Sequence, residues 1–547
     1  MIANRRVSLL ASVLLGVAGC GGGGGGDTPG PPPPPPPPPV TKAEAFQFLN
    51  QASFGATESE ALGVIAMRQE RWIDDQMTKP ASLQLPHMLS LPPPQFMGQL
   101  HTDRVDIWFR NALWGDDQLR QRVAFALSEI MVVSQLGALQ ARPFAVADYY
   151  DMLAENAFGN YRDLIEKVTL HPAMGLYLSM LGNEKPNPAL NIRPDENYAR
   201  ELMQLFSIGL VQLNIDGTVA LDGNNQPIPT YNQEIIEGFA HVFTGWTWRG
   251  SPSFGSGRVP VSSQYFPMEH WPEFHDTGEK MLLDGTVLPA GQSGEQDLAD
   301  ALDNIFNHAN VGPFVAIRLI QRLTTSNPSP GYVRRVAEVF NDNGFGVRGD
   351  LGAVVKAILL DPEASPSMAM EIDGKLKEPL LRLTQLFKAY NASSASGRYP
   401  LVGSYILFGQ GPLQSPSVFN FFSPFFAPPG EIRNSNLVAP ELEIATEYLS
   451  TQYTNYMFFQ AFGLNHTNEN LDEDDIFINF QEEMEVAADI NALINMVAGK
   501  LLGGEMSDTL RTEITGMLER IPETDTAIRA AEVIYFITTS PEYAYQR

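Results

Sequence analysis

Charged and amide side chains that could carry out chemistry are concentrated at 194–209, where an acidic first turn after a proline is typical of a helix start. Glu196 and Arg200 are four residues apart, as are Asn197 and Glu201, so each pair lies on one face of a helical turn. Two carboxylates, an amide and a guanidinium in this arrangement could bind a cation or transfer protons. The spacing is equally typical of a local helix ion pair, and both interpretations stay open.

A second candidate is the segment 269–280, in which His270, His275 and Asp276 are residue types that ligate metals. Lys280 ends the segment and could pair with an anion. A proline separates the two histidines, so they are predicted to lie on a loop rather than on one helix face. The segment lacks the strict spacing of a zinc motif, so a metal site and an ordinary surface turn both remain possible.

A dense aromatic run lies at 418–426, inside a stretch at 400–440 that is rich in Phe and Pro. Rings of this kind could bind a sugar or an apolar ligand if they were exposed. Buried, they would form part of the core, which is the more frequent fate of such residues. Long irregular segments in a globular chain are often functional, so the run is retained as a candidate.

The spacing GxGxxG occurs at 344–349, and it is typical of dinucleotide binding when it follows a strand. Here a helical pattern at 332–340 precedes it, which argues against a nucleotide site. The first two glycines are predicted to end that helix, and Asp350 is predicted to cap the next one.

The elements that must position these groups are predicted to be helices almost throughout. Thr41 and Glu44 form a capping box at the start of a helix at 42–52. Apolar residues recur at helical spacing in many further segments, which are 119–133, 146–158, 196–208, 233–243, 298–307, 313–323, 332–340, 351–360, 377–390, 490–502 and 527–538. Strands at 211–213 and 219–221 are predicted to form a hairpin around an Asp-Gly turn. The sequence therefore predicts an all-α, multi-helix array with a small β-hairpin insertion and long irregular loops.

The amino terminus has the pattern of a bacterial lipoprotein signal. Arg5 and Arg6 precede thirteen mostly apolar residues at 7–19, too few to span a bilayer but typical of a signal peptide. The run ends in Val-Ala-Gly before Cys20, which is the only cysteine of the chain and resembles the lipidated residue of a lipobox. We therefore expect the mature chain to begin at Cys20, outside the cytoplasm, on a membrane anchor.

A flexible glycine run at 21–26 and nine consecutive prolines at 31–39 follow this cysteine. Polyproline rises about 3.1 Å per residue, so the prolines would reach about 28 Å and act as a spacer. The absence of an Asp after the cysteine favours the outer membrane. The predicted domains are a signal peptide at 1–19, a tether at 20–40 and a helical domain at 41–547 with a possible subdivision near 391–440.

The chain is strongly acidic, with a formal net charge of −27. Residues 441–547 contain 20 acidic and 5 basic residues, so more than half of the excess lies in the last fifth of the sequence. Such a surface repels phosphate backbones, and nucleic acid is therefore not an expected partner. The acidic run at 472–475 lacks the spaced ligands and the glycine of a calcium loop, so it is interpreted as a solvated face.

Several of these segments together resemble the domain-of-unknown-function 1800 family of exported bacterial proteins. The matching pieces include FLNQASFGAT at 48–57, ENYARELMQLFSIGL at 196–210, FTGW at 243–246, FHDTGEK at 274–280 and SPSVFNFFSP at 415–424. The resemblance implies a predominantly helical, exported protein but supplies no activity. Members often accompany a second exported family with a sulfatase-like fold, so a protein partner of that kind is an expectation. Since the polar residues of ENYARE and FHDTGEK belong to the family pattern, the resemblance also favours a joint site of the two motifs as much as a local ion pair, and both interpretations stay open.

Two functions are consistent with these patterns. The first is a lipid-anchored extracytoplasmic protein that binds an envelope partner or polymer. The second is a hydrolase, in which Glu196 or Glu201 acts as general base and His275 with Asp276 serves as proton relay or binds a divalent metal. In that hypothesis Asn197, Arg200 and Lys280 hold the substrate. The absence of a strict catalytic constellation favours binding.

Overall fold

The computed structural model describes residues 39–96, 98–365, 374–463 and 472–546. The predicted signal peptide, Cys20 and nearly all of the tether lie outside this part of the chain. Within it, the predicted all-α class is confirmed, because helices dominate and the strands form small two-stranded sheets. Every helix in these four ranges is too short or too polar to cross a bilayer.

The helices fall into three consecutive groups along the chain. The first group contains α1 (Lys42–Ala52), α2 (Glu58–Met67), α3 (Gln69–Thr78), α4 (Leu85–Ser90), α5 (Gln99–Trp114), α6 (Gln118–Ser128), α7 (Pro143–Glu155), α8 (Tyr161–Leu170) and α9 (Pro172–Tyr177). The second contains α10 (Asn197–Glu201), α11 (Gln233–Val242), α12 (Gly294–Asn307), α13 (Val311–Leu323), α14 (Pro330–Asn341), α15 (Leu351–Leu359) and α16 (Pro379–Ala389). The third contains α17 (Ser404–Phe408), α18 (Glu431–Asn434), α19 (Glu447–Phe462), α20 (Gln481–Val486), α21 (Ile490–Leu501), α22 (Asp508–Leu518), α23 (Thr526–Thr538) and α24 (Pro541–Ala544).

The described residues contain three antiparallel pairs of two-residue strands. They are β1 (Trp246–Thr247) with β2 (Glu269–His270), β3 (Lys280–Met281) with β4 (Val287–Leu288), and β5 (Lys375–Leu376) with β6 (Tyr545–Gln546). The first two pairs constrain the backbone of the irregular stretch at 247–296. The third pairs the segment before α16 with the carboxyl end of the chain.

Helix caps read from the sequence are present in the structure. The Thr41 hydroxyl accepts from the backbone of Glu44, and the Glu44 carboxylate accepts from the backbone of Thr41, which completes the predicted capping box. Asp350 caps α15 by accepting from the backbone N–H of Ala353. Gly344 adopts a positive φ of 89°, but α14 already ends at Asn341 with Asp342 as its extended cap residue, so this glycine lies in the turn beyond the helix. Local patterns of this kind depend on a few adjacent residues, which is why the sequence alone predicts them.

The predicted hairpin is also confirmed, and it has a third segment. Leu213 bridges to Val219 across the Asp-Gly turn, and Val211 bridges to Pro229 on the returning chain. Gly217 at this turn has a φ of 77°, and a Cβ there would lie only 2.8 Å from the Ile317 side chain of α13. A glycine is therefore required for the hairpin to pack closely against α13.

The helical pattern at 196–208 is only partly realised as α-helix. After α10, residues 202–207 form a π-helical segment, and the backbone N–H of Ile208 donates to the carbonyl of Met203 at 2.9 Å. The sequence pattern does not distinguish α from π spacing over so few residues. π-Helical turns occur often at functional sites, so this segment marks a region of interest.

The carboxyl end of α6 fixes the aromatic stretch to the core. The apolar pattern predicted a helix to residue 133, but α6 ends at Ser128. The chain then runs alongside the later segment, because the Gln135 N–H donates to the Leu413 carbonyl at 2.8 Å and the Ser134 hydroxyl to the Ser415 carbonyl at 2.7 Å. These tertiary hydrogen bonds replace the last helical turn, and they bring residues 280 positions apart together.

Candidate functional site

The ENYARE segment forms a partly exposed ion pair on α10. Arg200 Nη2 lies 2.9 Å from Glu196 Oε2, so the predicted pairing across one turn is present. The Gln233 side chain on α11 donates to the other oxygen of Glu196 at 2.9 Å. Asn197 is exposed, and its backbone N–H donates to the Asp195 carboxylate. These contacts make the segment a helix start that is tied to α11.

Glu201 differs from the rest of this segment because it is buried. Only 6% of the residue is exposed, and in the described part of the chain its Oε2 atom has no hydrogen-bond partner. Burial raises the pKa of Glu201, and the nearby charge of Arg200 opposes that rise. Burial likewise raises the pKa of Tyr231 to about 12, and its hydroxyl also lacks a hydrogen-bond partner within the described residues. Glu201 is therefore the member of ENYARE with the properties of a proton donor.

The FHDTGEK segment is built around an aspartate that the sequence did not single out. Asp297 on α12 accepts from Lys280 Nζ at 2.6 Å and lies 3.0 Å from His275 Nε2, both contacts being to Oδ2. All three residues are at most 2% exposed. Lys280 also donates to the Gly278 carbonyl at 2.9 Å. The ammonium group thus has its counter-ion inside the protein, and a buried ion pair of this kind is a structural element.

Asp276 points to a different partner from its neighbour His275. It contacts Nδ1 of His241, near the carboxyl end of α11, and this hydrogen bond is the main reason that the pKa of Asp276 falls to about 2. The Asp276 backbone N–H donates to the Thr244 hydroxyl at 2.9 Å. His241 is a solitary histidine in a helical segment of the sequence, so no motif there predicts this pairing.

The two motifs therefore meet the same helix at separate points. Gln233 contacts ENYARE and His241 contacts FHDTGEK, and eight residues of α-helix place these points about 12 Å apart. In the four described ranges, no hydrogen bond or ion pair joins Glu196, Asn197, Arg200 or Glu201 directly to His275, Asp276 or Lys280. Nor do three His, Cys, Asp or Glu side chains converge there to hold a metal ion. The catalytic and metal-ligand roles of these residues stay predictions.

A large cavity lies elsewhere, and we call it the cleft. It has a volume of about 700 Å³ and is lined by four segments at 129–132, 204–219, 314–322 and 418–425. These correspond to the chain after α6, the π-helical turn with the hairpin, one face of α13, and the aromatic run. The lining is mainly apolar, and two of its rings, Phe419 and Phe425, are 56% and 69% exposed. The volume and lining are those of a small-molecule site.

Two arginines of α13 supply the positive charge of the cleft. Arg318 lies 4.5 Å from the centre of the Phe425 ring and 5.1 Å from that of Phe314. Arg322 lies 4.5 Å from the Phe422 ring and 3.5 Å from Glu129 Oε2. Burial, helped by the charge of Arg322, lowers the pKa of Arg318 to about 9, so the guanidinium stays charged at neutral pH.

Glu129 links the cleft to a buried polar network. Burial, together with the negative charge of Glu378, raises the pKa of Glu129 to about 8. Gln410 donates to both carboxylates, at 3.0 Å to Glu129 and 2.6 Å to Glu378. Despite the opposing effect of burial, the positive charges of Lys375, Arg322 and Arg122 lower the pKa of Glu378. A buried carboxyl group with a pKa near neutrality is a frequent property of functional sites.

Asn420 adds an amide to the cleft. It is 6% exposed, and no acceptor in the described part of the chain bonds its Nδ2 atom. Its φ of 68° is one that asparagine tolerates better than most residues. The rings of the predicted aromatic run therefore lie in two environments. Phe421 and Phe422 are buried, while Phe419 and Phe425 line the cleft.

The sequence did not identify the charged residues of the cleft. Arg318 and Arg322 are four residues apart on an apolar helix, where like charges at this spacing are unfavourable without a partner. Two arginines at this spacing are therefore a sequence pattern that can indicate a functional site. Glu129 gives a similar one, as a single acid in an apolar stretch.

Both of these regions lie within a stretch of the chain that matches a known protein family. A family model described as a protein of unknown function, DUF1800, matches residues 47–545. The chain belongs to the DUF1800 family. The resemblance seen in the sequence is thereby confirmed, over nearly the whole chain. No curated protein and no solved structure matches this DUF1800 chain.

Proposed function

We propose that this DUF1800 protein is a lipid-anchored binding protein of the cell envelope, and that its cleft takes up an apolar ligand. The observation that carries the proposal is the mainly apolar cleft of about 700 Å³ with exposed Phe419 and Phe425. Sites for small ligands combine such a lining with a few convergent polar groups. Arg318, Arg322 and Asn420 are groups of that kind.

The contacts of the two motifs favour a structural role for them over catalysis. Hydrolysis at a joint site needs a nucleophile or base, a proton donor and a substrate-binding group around one space. Lys280 and His275 instead share Asp297, and Asp276 is paired with His241. With these partners, FHDTGEK holds α11 and α12 to the irregular stretch at 247–296.

The location is supported by the sequence of the amino terminus. Cys20 follows a signal-like apolar run, and the glycine and proline runs after it would hold the helical domain away from a membrane. We propose the outer membrane, because no aspartate follows the cysteine. A partner with a sulfatase-like fold rests on the family association alone.

Replacing Cys20 by Ser tests the anchor. We expect the C20S protein to move from the membrane to the soluble envelope fraction and to lose incorporation of labelled palmitate, since serine cannot accept the lipid. Its melting temperature should equal that of the wild type, because Cys20 precedes the helical domain. Unchanged membrane fractionation of C20S would contradict lipidation.

The cleft is tested by titration with N-phenyl-1-naphthylamine, a neutral dye whose fluorescence rises in apolar surroundings. We expect saturable binding to the purified protein, and Phe419→Ala should weaken it by roughly tenfold because one ring is removed from the site. Phe345→Ala is the matched control, since Phe345 is 89% exposed and does not line the cleft. Equal binding by both variants would place the dye elsewhere.

One observation favours hydrolysis as a second candidate. Glu201 is buried with an unpaired oxygen and a raised pKa, as expected of a general acid. A hydrolase that uses it would lose turnover of a chromogenic ester or phosphoester in Glu201→Gln, while its melting temperature stayed nearly unchanged. Turnover that survives this substitution would rule the role out.

A further inference from the structure

Arg318 is a cation without a counter-ion. In the four described ranges no carboxylate lies within ion-pair distance of it, whereas Arg322 beside it has Glu129 at 3.5 Å. Arg318 Nη1 donates to the Gln321 side chain at 2.8 Å, and among these residues no other protein acceptor bonds its guanidinium. A guanidinium has five N–H donors, so most of them stay available. This is notable in a protein that carries 63 acidic residues.

The aromatic contacts of Arg318 do not remove this positive charge. Phe425 and Phe314 attract the guanidinium through their ring faces, but a ring carries no net charge. Phe425 is itself 69% exposed, so this ring lies at the open side of the cleft. The cleft thus combines an apolar lining with a partly desolvated cation, most of whose donors are unpaired within the described residues.

Asn420 is a second, independent donor on the same cavity. Among the residues that the structure describes, no acceptor bonds its Nδ2 group although the residue is more than nine-tenths buried, and a buried amide without a partner is costly. An anionic group has enough acceptor positions for both an amide and a guanidinium. Glu129 is the carboxyl group that faces this cavity, and burial raises its pKa, which weakens its repulsion of an anion.

We propose that the cleft binds an amphipathic anion: an apolar chain or ring system that carries one carboxylate or phosphate, received by Arg318 and Asn420. The inference rests on the proposed function, because it names the ligand class of the same cleft. The apolar body lies against the aromatic and aliphatic lining, and the anion pairs with the guanidinium of Arg318, which has no carboxylate partner in the described ranges. Neutral apolar molecules cannot pair with the guanidinium, so they bind more weakly.

The experiment is displacement of N-phenyl-1-naphthylamine by ten-carbon chains that differ only in the head group. Decanoate and decyl phosphate should each displace the dye at concentrations about tenfold or more below those of decanol, because a charge-assisted hydrogen bond is stronger than a neutral one. Decyltrimethylammonium should displace it least. The ratio between decanoate and decyl phosphate identifies which anion the site prefers.

Arg318→Met keeps the length and apolar stem of the side chain and removes the charge. We expect the Arg318→Met protein to bind decanoate no more tightly than decanol. Its affinity for decanol should equal that of the wild type. Arg249→Met is the matched control, because Arg249 also lies over a phenylalanine ring, at 5.0 Å from Phe266, but outside the cleft. If Arg318→Met fails to fold, Arg318→Lys should retain a preference for decanoate and Asn420→Ala should reduce it severalfold.

The outcomes separate the two proposals. Failure of the dye to bind the wild type would overturn the apolar cleft as a binding site, and this inference with it. Dye binding with equal displacement by decanoate and decanol would overturn only the anionic ligand class. A preference for decanoate that survives Arg318→Met would also overturn it, because the anion would then be held elsewhere.

Discussion

The Asp297 cluster and the cleft are both built from buried ionisable groups, but they differ in how the charges are balanced. Asp297 accepts from Lys280 and contacts His275, so the cation of that cluster has its counter-ion within 2.6 Å. In the cleft, Arg322 has Glu129 at 3.5 Å, a carboxyl group whose pKa is raised by burial, while Arg318 has no carboxylate in the described ranges. Conspicuous motif residues can therefore be structural, and a binding site is better recognised by a cation that no carboxylate balances.

The largest expected effect comes from breaking the balanced cluster. Asp297→Ala should lower the free energy of unfolding by about 3–5 kcal/mol, because it leaves Lys280 buried without a counter-ion. Urea unfolding followed by circular dichroism measures this. Glu295→Ala, two residues earlier on α12 and 62% exposed at its side chain, should change stability by at most about 0.5 kcal/mol. A loss below about 1 kcal/mol for Asp297→Ala would show that the ion pair is not structural.

A smaller, pH-dependent effect is expected at Glu129. Its pKa rises from 4.5 to about 8 on folding, so the folded state holds a proton that the unfolded state has released. The resulting stability is fully present below pH 4.5 and is lost as pH rises towards 8, with a slope of at most about 1.4 kcal/mol per pH unit. Glu129→Gln mimics the protonated form, so its unfolding free energy should lack this decline.

The difference between the wild-type and Glu129→Gln curves isolates the carboxyl group from other titrating residues. Burial lowers the pKa of His101 to about 4, for example, which gives a contribution of opposite sign that both proteins share. Glu273→Gln, at an exposed position, should leave the wild-type curve unchanged. Parallel wild-type and Glu129→Gln curves between pH 5 and 8 would contradict the raised pKa of Glu129.

The smallest effect is expected at the exposed ion pair of α10. Glu196→Gln should cost about 0.3–0.5 kcal/mol, because the Glu196 and Arg200 side chains are 33% and 40% exposed and water screens their attraction. Raising the salt concentration should remove most of this difference in a thermal melt. A loss of unfolding free energy above about 2 kcal/mol would mean that the ENYARE ion pair stabilises the protein as the Asp297 cluster does, rather than as an exposed ion pair.

The sequence predicted features that depend on neighbouring residues. The capping box at Thr41, the cap at Asp350 and the hairpin around Gly217 all follow from interactions within a few positions. It did not predict the end of α6 at Ser128. There, hydrogen bonds from Gln135 to Leu413 replace the last turn, and no local pattern records such a contact.

The candidate sites show the same division. Residue types and spacing drew attention to His275, Asp276 and Lys280, and the structure brings Lys280 and His275 together on an aspartate 17 residues beyond the lysine. The pairing of Asp276 with His241 joins a loop to a helix. In both cases the motif located the region but not the partner, because the partner arrives from another element.

By itself, the sequence determined the family, the helical class, the local caps and the acidic charge, since these are properties of residues or of short windows. Only the tertiary structure decided which charges are balanced and where the cleft opens. The four segments of the cleft extend from residue 129 to residue 425, and long-range packing alone brings them to one cavity. Arg318 lacks a counter-ion within the described part of the chain for the same reason, because the identity of its neighbours is fixed by how distant helices meet.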